Sequence, residues 1–216
     1  NKVLAEGINY FWLTYNIPAT AVIGNFVDAS CTNIKVSGVN YTPSITSPTQ
    51  VKQIIGQITV GTGTASNWNG PIYPSYYAGA HESIYLASDF GAVPKEINKI
   101  EWYKASGNNI TNQISDISIY MKNSTTSSLS SGSYSLTGYT LVYQGAMPND
   151  KVTGWLGVNL DNTFLYDGTS NVHVLVIQAK PVSTWYPYPY WAYTTVSPNK
   201  ARGAYSTTTV GNLQST

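Results

Sequence analysis

A chain of 216 residues with 42% hydrophobic side chains can bury a sizeable core, in one large domain or in one domain and part of a second. Charged residues make up only 10% of it, against a usual share of about a quarter, and the net charge is +1. That balance excludes a phosphate-binding or nucleic-acid-binding surface, because the densest cationic cluster, Lys200 to Arg202, holds just two charges.

The missing charge is replaced by 24 Thr, 23 Ser, 19 Asn and 18 Tyr, residues that favour strands and turns over helices. An all-β protein is therefore expected. No run approaches the ~18 consecutive apolar residues of a membrane span. Asn1 opens no signal-peptide pattern, so the chain reads as a mature or trimmed product. The single cysteine, Cys31, rules out an intrachain disulfide and leaves stability to packing or assembly. Within "DASCTNIKV" it reads as a small buried hydrophobe on a strand, with no histidine beside it to make a nucleophile.

Alternation of period two marks the strands in chain order. In Asn9–Ile17, Phe11, Leu13, Tyr15 and Ile17 share one face; Ile34 and Val36 then alternate with Asn33 and Lys35. A composition boundary follows, with two prolines and a Ser/Thr run in "PSITSPTQVKQIIG", and a linker is placed at 49–56. Beyond it, Ile100 and Trp102 alternate with Lys99, Glu101 and Tyr103, and Ile117, Ile119 and Met121 face away from Ser118, Tyr120 and Lys122. Val172–Ala179 is apolar at nearly every position, which predicts a central strand covered on both faces. Turns are expected at Ser37-Gly38, Gly61-Thr62-Gly63, 106–109, 148–150 and Asp167-Gly168. Short strands at this spacing predict an antiparallel β-sandwich or jelly roll over 57–216. The piece before the linker is too small a sheet to close a core alone and must lean on its neighbour or on another chain.

The chemistry-bearing residues have plain readings. Glu82 and Asp89 in "HESIYLASDF" are the carboxylates nearest to a glycosidase pair, yet nothing in the spacing makes them converge. His173 alternates inside an apolar strand as a packed core residue, and His81 beside Glu82 reads as surface polar. Two isolated histidines do not make a zinc site. No cofactor is expected; calcium is the metal best suited to such a fold, at Asp150, Asp161 and Asp167, although these lack the acidic alternation of a calcium loop. "GTGT" at 61–64 is no phosphate loop and no Gly-x-Ser-x-Gly occurs, so no catalytic residue is assigned.

Aromatic residues are the surplus. Trp68, Tyr73, Tyr76 and Tyr77 form one group; Trp185, Tyr186, Tyr188, Tyr190, Trp191 and Tyr193 form another, laced with Pro187 and Pro189. They are read as intersubunit or interdomain contacts first and as a glycan-stacking surface second. Sequons stand at Asn40, Asn109 and Asn123, the last opening a Ser/Thr-rich loop to Ser135 that reads as exposed and glycosylated.

Residues 4–46 resemble the end of the β-sandwich module that precedes BNR-type sialidase propellers and recurs in Bacteroidota surface proteins. The resemblance is carried by Asn9-Tyr10-Phe11-Trp12-Leu13-Thr14-Tyr15, by Gly24-Asn25 with Val27-Asp28-Ala29, and by Tyr41-Thr42-Pro43. The family module is about three times longer and its earlier strands are absent here. Residues 57–180, through "ITVGTGTASNWNGPIYPSYYAGAHESIYLASDF", "INKIEWYKASG", "ISDISIYM" and "GWLGVNLDNTFLYDGTSNVHVLVI", resemble a jelly-roll-like module of secreted and adhesive proteins; "PYWAYTTVSPNKARGAYS" resembles its closing strands. The Asp-box Ser-x-Asp-x-Gly-x-Thr-Trp of the propellers does not occur.

These resemblances imply a non-enzymatic protein, extracellular or on the cell surface of a type IX-secreting bacterium. Residues 1–48 become a partial Ig-like sandwich that needs complementing strands, and 57–216 a jelly-roll-like domain. The expected function is a structural subunit of an extracellular filament or adhesin, polymerising with copies of itself by strand exchange. Gly203–Gln214 and Val51–Val60 are the candidate donors. The alternative is a non-catalytic carbohydrate-binding module with glycans as partners.

Overall fold

The computed structural model describes residues 6–7, 16–18, 20–22, 25–47, 52–54, 56–73, 76–107, 116–148, 150–179, 188–196, 199–208 and 214–215. The chain divides into two compact units between Gly56 and Gln57. It is an all-β protein of antiparallel sheets.

The first unit contains two small pairings. Strand β1 (Phe26–Val27) pairs with β4 (Lys52–Gln53), and β2 (Ile34–Val36) pairs with β3 (Val39–Tyr41). Ser37 and Gly38 join the hairpin with φ of 50° and 86°, the left-handed pair that a two-residue turn of matching twist requires. None of the described residues of this unit is buried. Cys31 departs from its expected place: it is exposed, outside any strand, its amide bonded to the Thr46 carbonyl at 2.8 Å. The Asn9–Tyr15 part of the first expected strand lies outside the described residues.

The second unit is a two-layer sandwich. Its strands are β5 (Ala65–Asn67), β6 (Ala78–Tyr85), β7 (Lys95–Ser106), β8 (Asp116–Ser124), β9 (Gly132–Ser133), β10 (Thr140–Ala146), β11 (Gly154–Tyr166), β12 (Asn171–Ala179), β13 (Tyr190–Tyr193), β14 (Ala201–Ser206) and β15 (Gln214–Ser215). One sheet runs β10-β8-β12-β6-β14, the other β11-β7-β13-β5, so successive strands mostly alternate between the layers. A four-residue helix, α1 (Ala87–Phe90), turns the chain from one layer to the other.

The alternating residues meet between the layers. Ile117, Ile119, Met121, Val142, Val172, Val174 and Val176 from the five-stranded sheet pack against Leu156, Val158, Phe164, Tyr166 and Trp191 from the other. Strand β12 is central and buried along most of its length, because β6 and β8 flank it and both its faces are covered. Its outer-face neighbours build a second, smaller cluster of Ala78, Ala80, Leu175 and Ala204, covered by Tyr120, Tyr134, Tyr139 and Ile177.

Parts of both expected donor segments are paired within the chain. Residues 203–206 belong to β14 and pair with β6. Lys52–Gln53 pair with β1, and the Ile54 amide bonds the Asn25 carbonyl at 2.6 Å. Lending those residues to a neighbour would break their own ladders, while 57–60 and 207–208 stand outside any strand.

Candidate functional site

The aromatic surplus gathers where the two edge strands β5 and β14 approach each other. Two glycines make the room. Gly79 on β6 and Gly203 on β14 leave a slot in the inner sheet face. An added Cβ would fall 2.6 Å from Tyr73 Cδ2 at the first and 1.6 Å from Tyr73 Oη at the second. The Tyr73 ring fills that slot and is buried there. Burial pushes its hydroxyl well above the ordinary range, with Tyr134 and Tyr205 adding to the effect.

Gln178, fully buried on β12, holds the turn that carries Tyr73 and Tyr76. Its Oε1 accepts from the Tyr73 amide at 2.6 Å, while Nε2 donates to the Tyr73 and Tyr76 carbonyls at 3.0 and 3.1 Å. One side-chain amide thus serves three backbone groups, of which, among the described residues, only the Tyr73 carbonyl has a second partner, the Tyr76 amide at 3.0 Å.

Around Tyr73 stand Trp68, Tyr76, Tyr188 and Tyr205. Trp68 and Tyr76 are near parallel, 22° apart with centroids 6.4 Å apart; Tyr76 and Tyr205 lie 3.8 Å apart at 30°. Tyr73 meets Trp68 edge-on at 85°, and Tyr188 closes the far side of Trp68 at 6.5 Å. A hydrogen bond to Tyr205 raises the pKa of the Tyr76 hydroxyl, with desolvation and neighbouring tyrosines acting in the same sense. Every ring of the group is uncharged. Tyr205 keeps 47% of its surface exposed, and Trp68, Tyr76 and Tyr188 are half-buried. The group is a neutral, partly open aromatic patch on a firm base, suited to a dry contact or to stacking against another apolar face.

Of the residues singled out from sequence, Trp68, Tyr73, Tyr76 and Tyr188 come together here. Trp191 instead points into the core. Tyr77, Tyr190 and Tyr193 are exposed and make no ring contact among the described residues. Trp185 and Tyr186 lie outside the described residues, as does Asn109. Sequence reasoning missed Tyr205, Gln178, Gly79 and Gly203. The glycines carried the legible signal, since a glycine inside a strand run marks the close approach of something bulky.

Comparison with family models, with curated proteins and with solved structures finds no match to this chain.

Glu82 and Asp89 do different work. The Asp89 carboxylate accepts from the Leu86 amide at 2.8 Å and caps α1. Glu82 is buried on the outer sheet face, bonded to Arg202 and Tyr139. His173 is buried beside it, its Nδ1 standing 3.5 Å from Glu82 Oε1, within ion-pair reach. His81 is not the surface group expected from sequence. It points inward beneath Gly70, where an added Cβ would fall 2.2 Å from the ring, and burial lowers its pKa to about 4 against the pull of Glu82.

The three aspartates expected in turns are separately engaged, and Asp161 lies within β11 rather than in a turn. Asp161 accepts from the Gln144 amide at 3.0 Å. Asp167 accepts from the Thr169 and Ser170 amides, both at 2.8 Å, and these bonds with the Ser170 hydroxyl lower it to about 2. Asp150 lies near enough to Lys104 to act on its charge; burial lowers that amine to about 8, with Asp150 opposing, and it donates to the Lys151 carbonyl at 2.8 Å. Among the described residues no three His, Cys, Asp or Glu side chains converge on a metal position, and no helix is long and apolar enough to cross a membrane.

Of the sequons, Asn40 is exposed on β3. The amide of Asn123 is engaged, donating to the Leu165 carbonyl at 2.8 Å.

Proposed function

We propose that this chain is a structural, non-catalytic subunit of an extracellular bacterial filament or surface adhesin, joined to neighbouring copies by β-strand complementation. The observation that carries this reading is the β2–β3 hairpin of the first unit. Its register puts Ile34 opposite Tyr41 and Val36 opposite Val39 on one face, with Lys35 and Asn40 on the other. The four apolar residues are 37–55% exposed. Phe26 at 63% and Ile45 at 71% extend the uncovered apolar surface of the same unit.

Apolar area left in water costs about 25 cal/mol per Å² relative to burial, so such a face favours a cover. A strand added from a second copy supplies both the cover and main-chain hydrogen bonds for an open edge. Because donor and acceptor are different surfaces, the contact repeats head to tail into a filament when it does not close. The resemblance of residues 4–46 to a longer sandwich module supports the same reading, and the uncharged aromatic patch suits a second intersubunit contact.

The test is negative-stain microscopy with light scattering on the native chain and on a Val36→Asp, Val39→Asp double variant. Regular oligomers or fibres lost in the variant, with the melting of the sandwich unchanged, are expected. A native chain that stays strictly monomeric at high concentration overturns the reading. The carbohydrate-binding alternative draws on the near-parallel Trp68 and Tyr76 rings beside half-exposed Tyr205. Retention of the monomer on a glycan matrix, lost in Trp68→Ala, would favour it.

A further inference from the structure

We propose that residues 125–139 form a strap that opens as one unit from the outer face of the five-stranded sheet, with the Glu82 carboxylate as its latch. Strands β8 and β10 are adjacent and antiparallel. A hairpin loop of about 2–5 residues would join them. The chain instead returns across the sheet, through β9, before entering β10. The Ser/Thr-rich stretch is exposed at 125–128, yet it is tied down along its length.

Its β9 pairs with β15, and several of its side-chain ties converge on one carboxylate. Tyr139 donates its hydroxyl to Glu82 Oε1 at 2.5 Å. Arg202 Nε and Nη2 donate to Oε2 at 2.7 and 2.6 Å, while its Nη1 donates to the Ser130 carbonyl at 2.7 Å. His173 places Nδ1 toward Oε1 and Nε2 3.0 Å from the Thr126 carbonyl. The Arg202 guanidinium also lies over the Tyr134 ring at 4.4 Å, and the Lys122 amine over the Tyr139 ring at 4.3 Å. Further along, Lys200 donates to the Ser127 carbonyl and the Leu129 amide to the Asn199 carbonyl.

Each strap contact at the latch is therefore oriented by Glu82, directly or through Arg202 and His173. The charged and titratable groups facing it are Arg202 from β14, His173 from β12, Tyr139 and Tyr134 from the strap, and Lys122 from β8. His81, the preceding residue of β6, points to the opposite face. Desolvation pushes the Glu82 carboxyl up, but the nearby His173 ring, the hydrogen bonds from Tyr139 and Arg202 and the Arg202 charge outweigh it and hold the group at about 2.

The strap is separable because none of the buried residues of the main core belongs to it. Lifting it uncovers Glu82, His173 and the small outer cluster of Ala78, Ala80, Leu175 and Ala204, and parts β9 from β15. The layers between the two sheets keep their packing.

Hydrogen exchange read by mass spectrometry on the full chain, native and Glu82→Gln, tests this. Peptides within 125–139 are expected to lose protection by about tenfold or more, the factor carried by loss of a hydrogen bond to a charged group. Peptides covering 117–121 and 172–176 are expected to stay protected. Unchanged protection of the strap in the variant overturns the latch. Loss of protection by strap and sandwich together, by the same factor, overturns the separate unit. Should Glu82→Gln fail to fold, Tyr139→Phe keeps the ring under Lys122, deletes only the hydroxyl, and is read by the same two criteria.

Discussion

The β2–β3 hairpin and the β8–β12 pair are written in the same alternating code and end in opposite states. Ile34 and Val36 stand 45% and 37% exposed, whereas Ile119 and Val176 are 0% and 1% exposed. The hairpin has the right turn and a clean apolar face, but no second layer among the described residues of its unit buries it. In the sandwich, each apolar face is met by another roughly one sheet spacing away. Alternation specifies which way side chains point; burial needs a partner, and only the second unit contains its own.

The most direct way to break this contrast is to truncate one residue in each unit. Ile119→Ala is expected to cost the sandwich about 2–5 kcal/mol in urea unfolding, through lost transfer energy and a cavity. Val36→Ala in the dispersed chain is expected to change stability by no more than about 0.5 kcal/mol, as for an ordinary surface position. Equal losses would mean that the hairpin face is covered within the same chain.

Acid sharpens the contrast, because among the described residues the strong charge latch belongs to the sandwich alone. Glu82 is held at about 2 against an ordinary 4.5, so its stabilisation is complete above pH 4.5 and drains away as pH falls toward 2. The amount at stake is about 3 kcal/mol. Urea midpoints measured across that range are expected to fall in the native chain and to fall less in Glu82→Gln. Parallel curves would show that other carboxylates govern acid sensitivity.

Gln178→Leu leaves the Tyr73 amide and the Tyr76 carbonyl without their partner and is expected to cost about 1–3 kcal/mol. Tryptophan fluorescence should report loosening around Trp68 in the same variant. Tyr205→Leu keeps apolar bulk but removes ring contacts, for a smaller loss of about 0.5–1.5 kcal/mol. Smallest of all, Lys99→Ala removes an ion pair to Glu101 on a side chain 49% exposed and is expected to shift stability by under about 0.5 kcal/mol.

Strand type and facing direction were legible from residues alone. The period of two at 117–121, the nearly continuous apolar run of β12 and the Ser37-Gly38 turn each follow from local rules that need no knowledge of neighbours. Cys31 was misplaced because a small apolar residue in an alternating context has no mark of its own exposure. His81 was misplaced because its cover, the Gly70 backbone, arrives from another segment. The aromatic patch was half legible: its rings were evident, but Trp191 and Tyr188 lie close in sequence and part ways, one into the core and one onto the patch.

By itself the sequence determined an all-β chain of low charge, its main turns and the inward faces of its central strands, because these depend on side-chain type and spacing. Only the tertiary structure decided that Gly79 and Gly203 open one slot for Tyr73, that Gln178 clamps the turn above it, and that Glu82, Arg202, His173 and Tyr139 form one cluster. Those groups lie far apart along the chain, and strand register, which pairs Glu82 with Arg202 and Leu175 across neighbouring strands, is what brings them together.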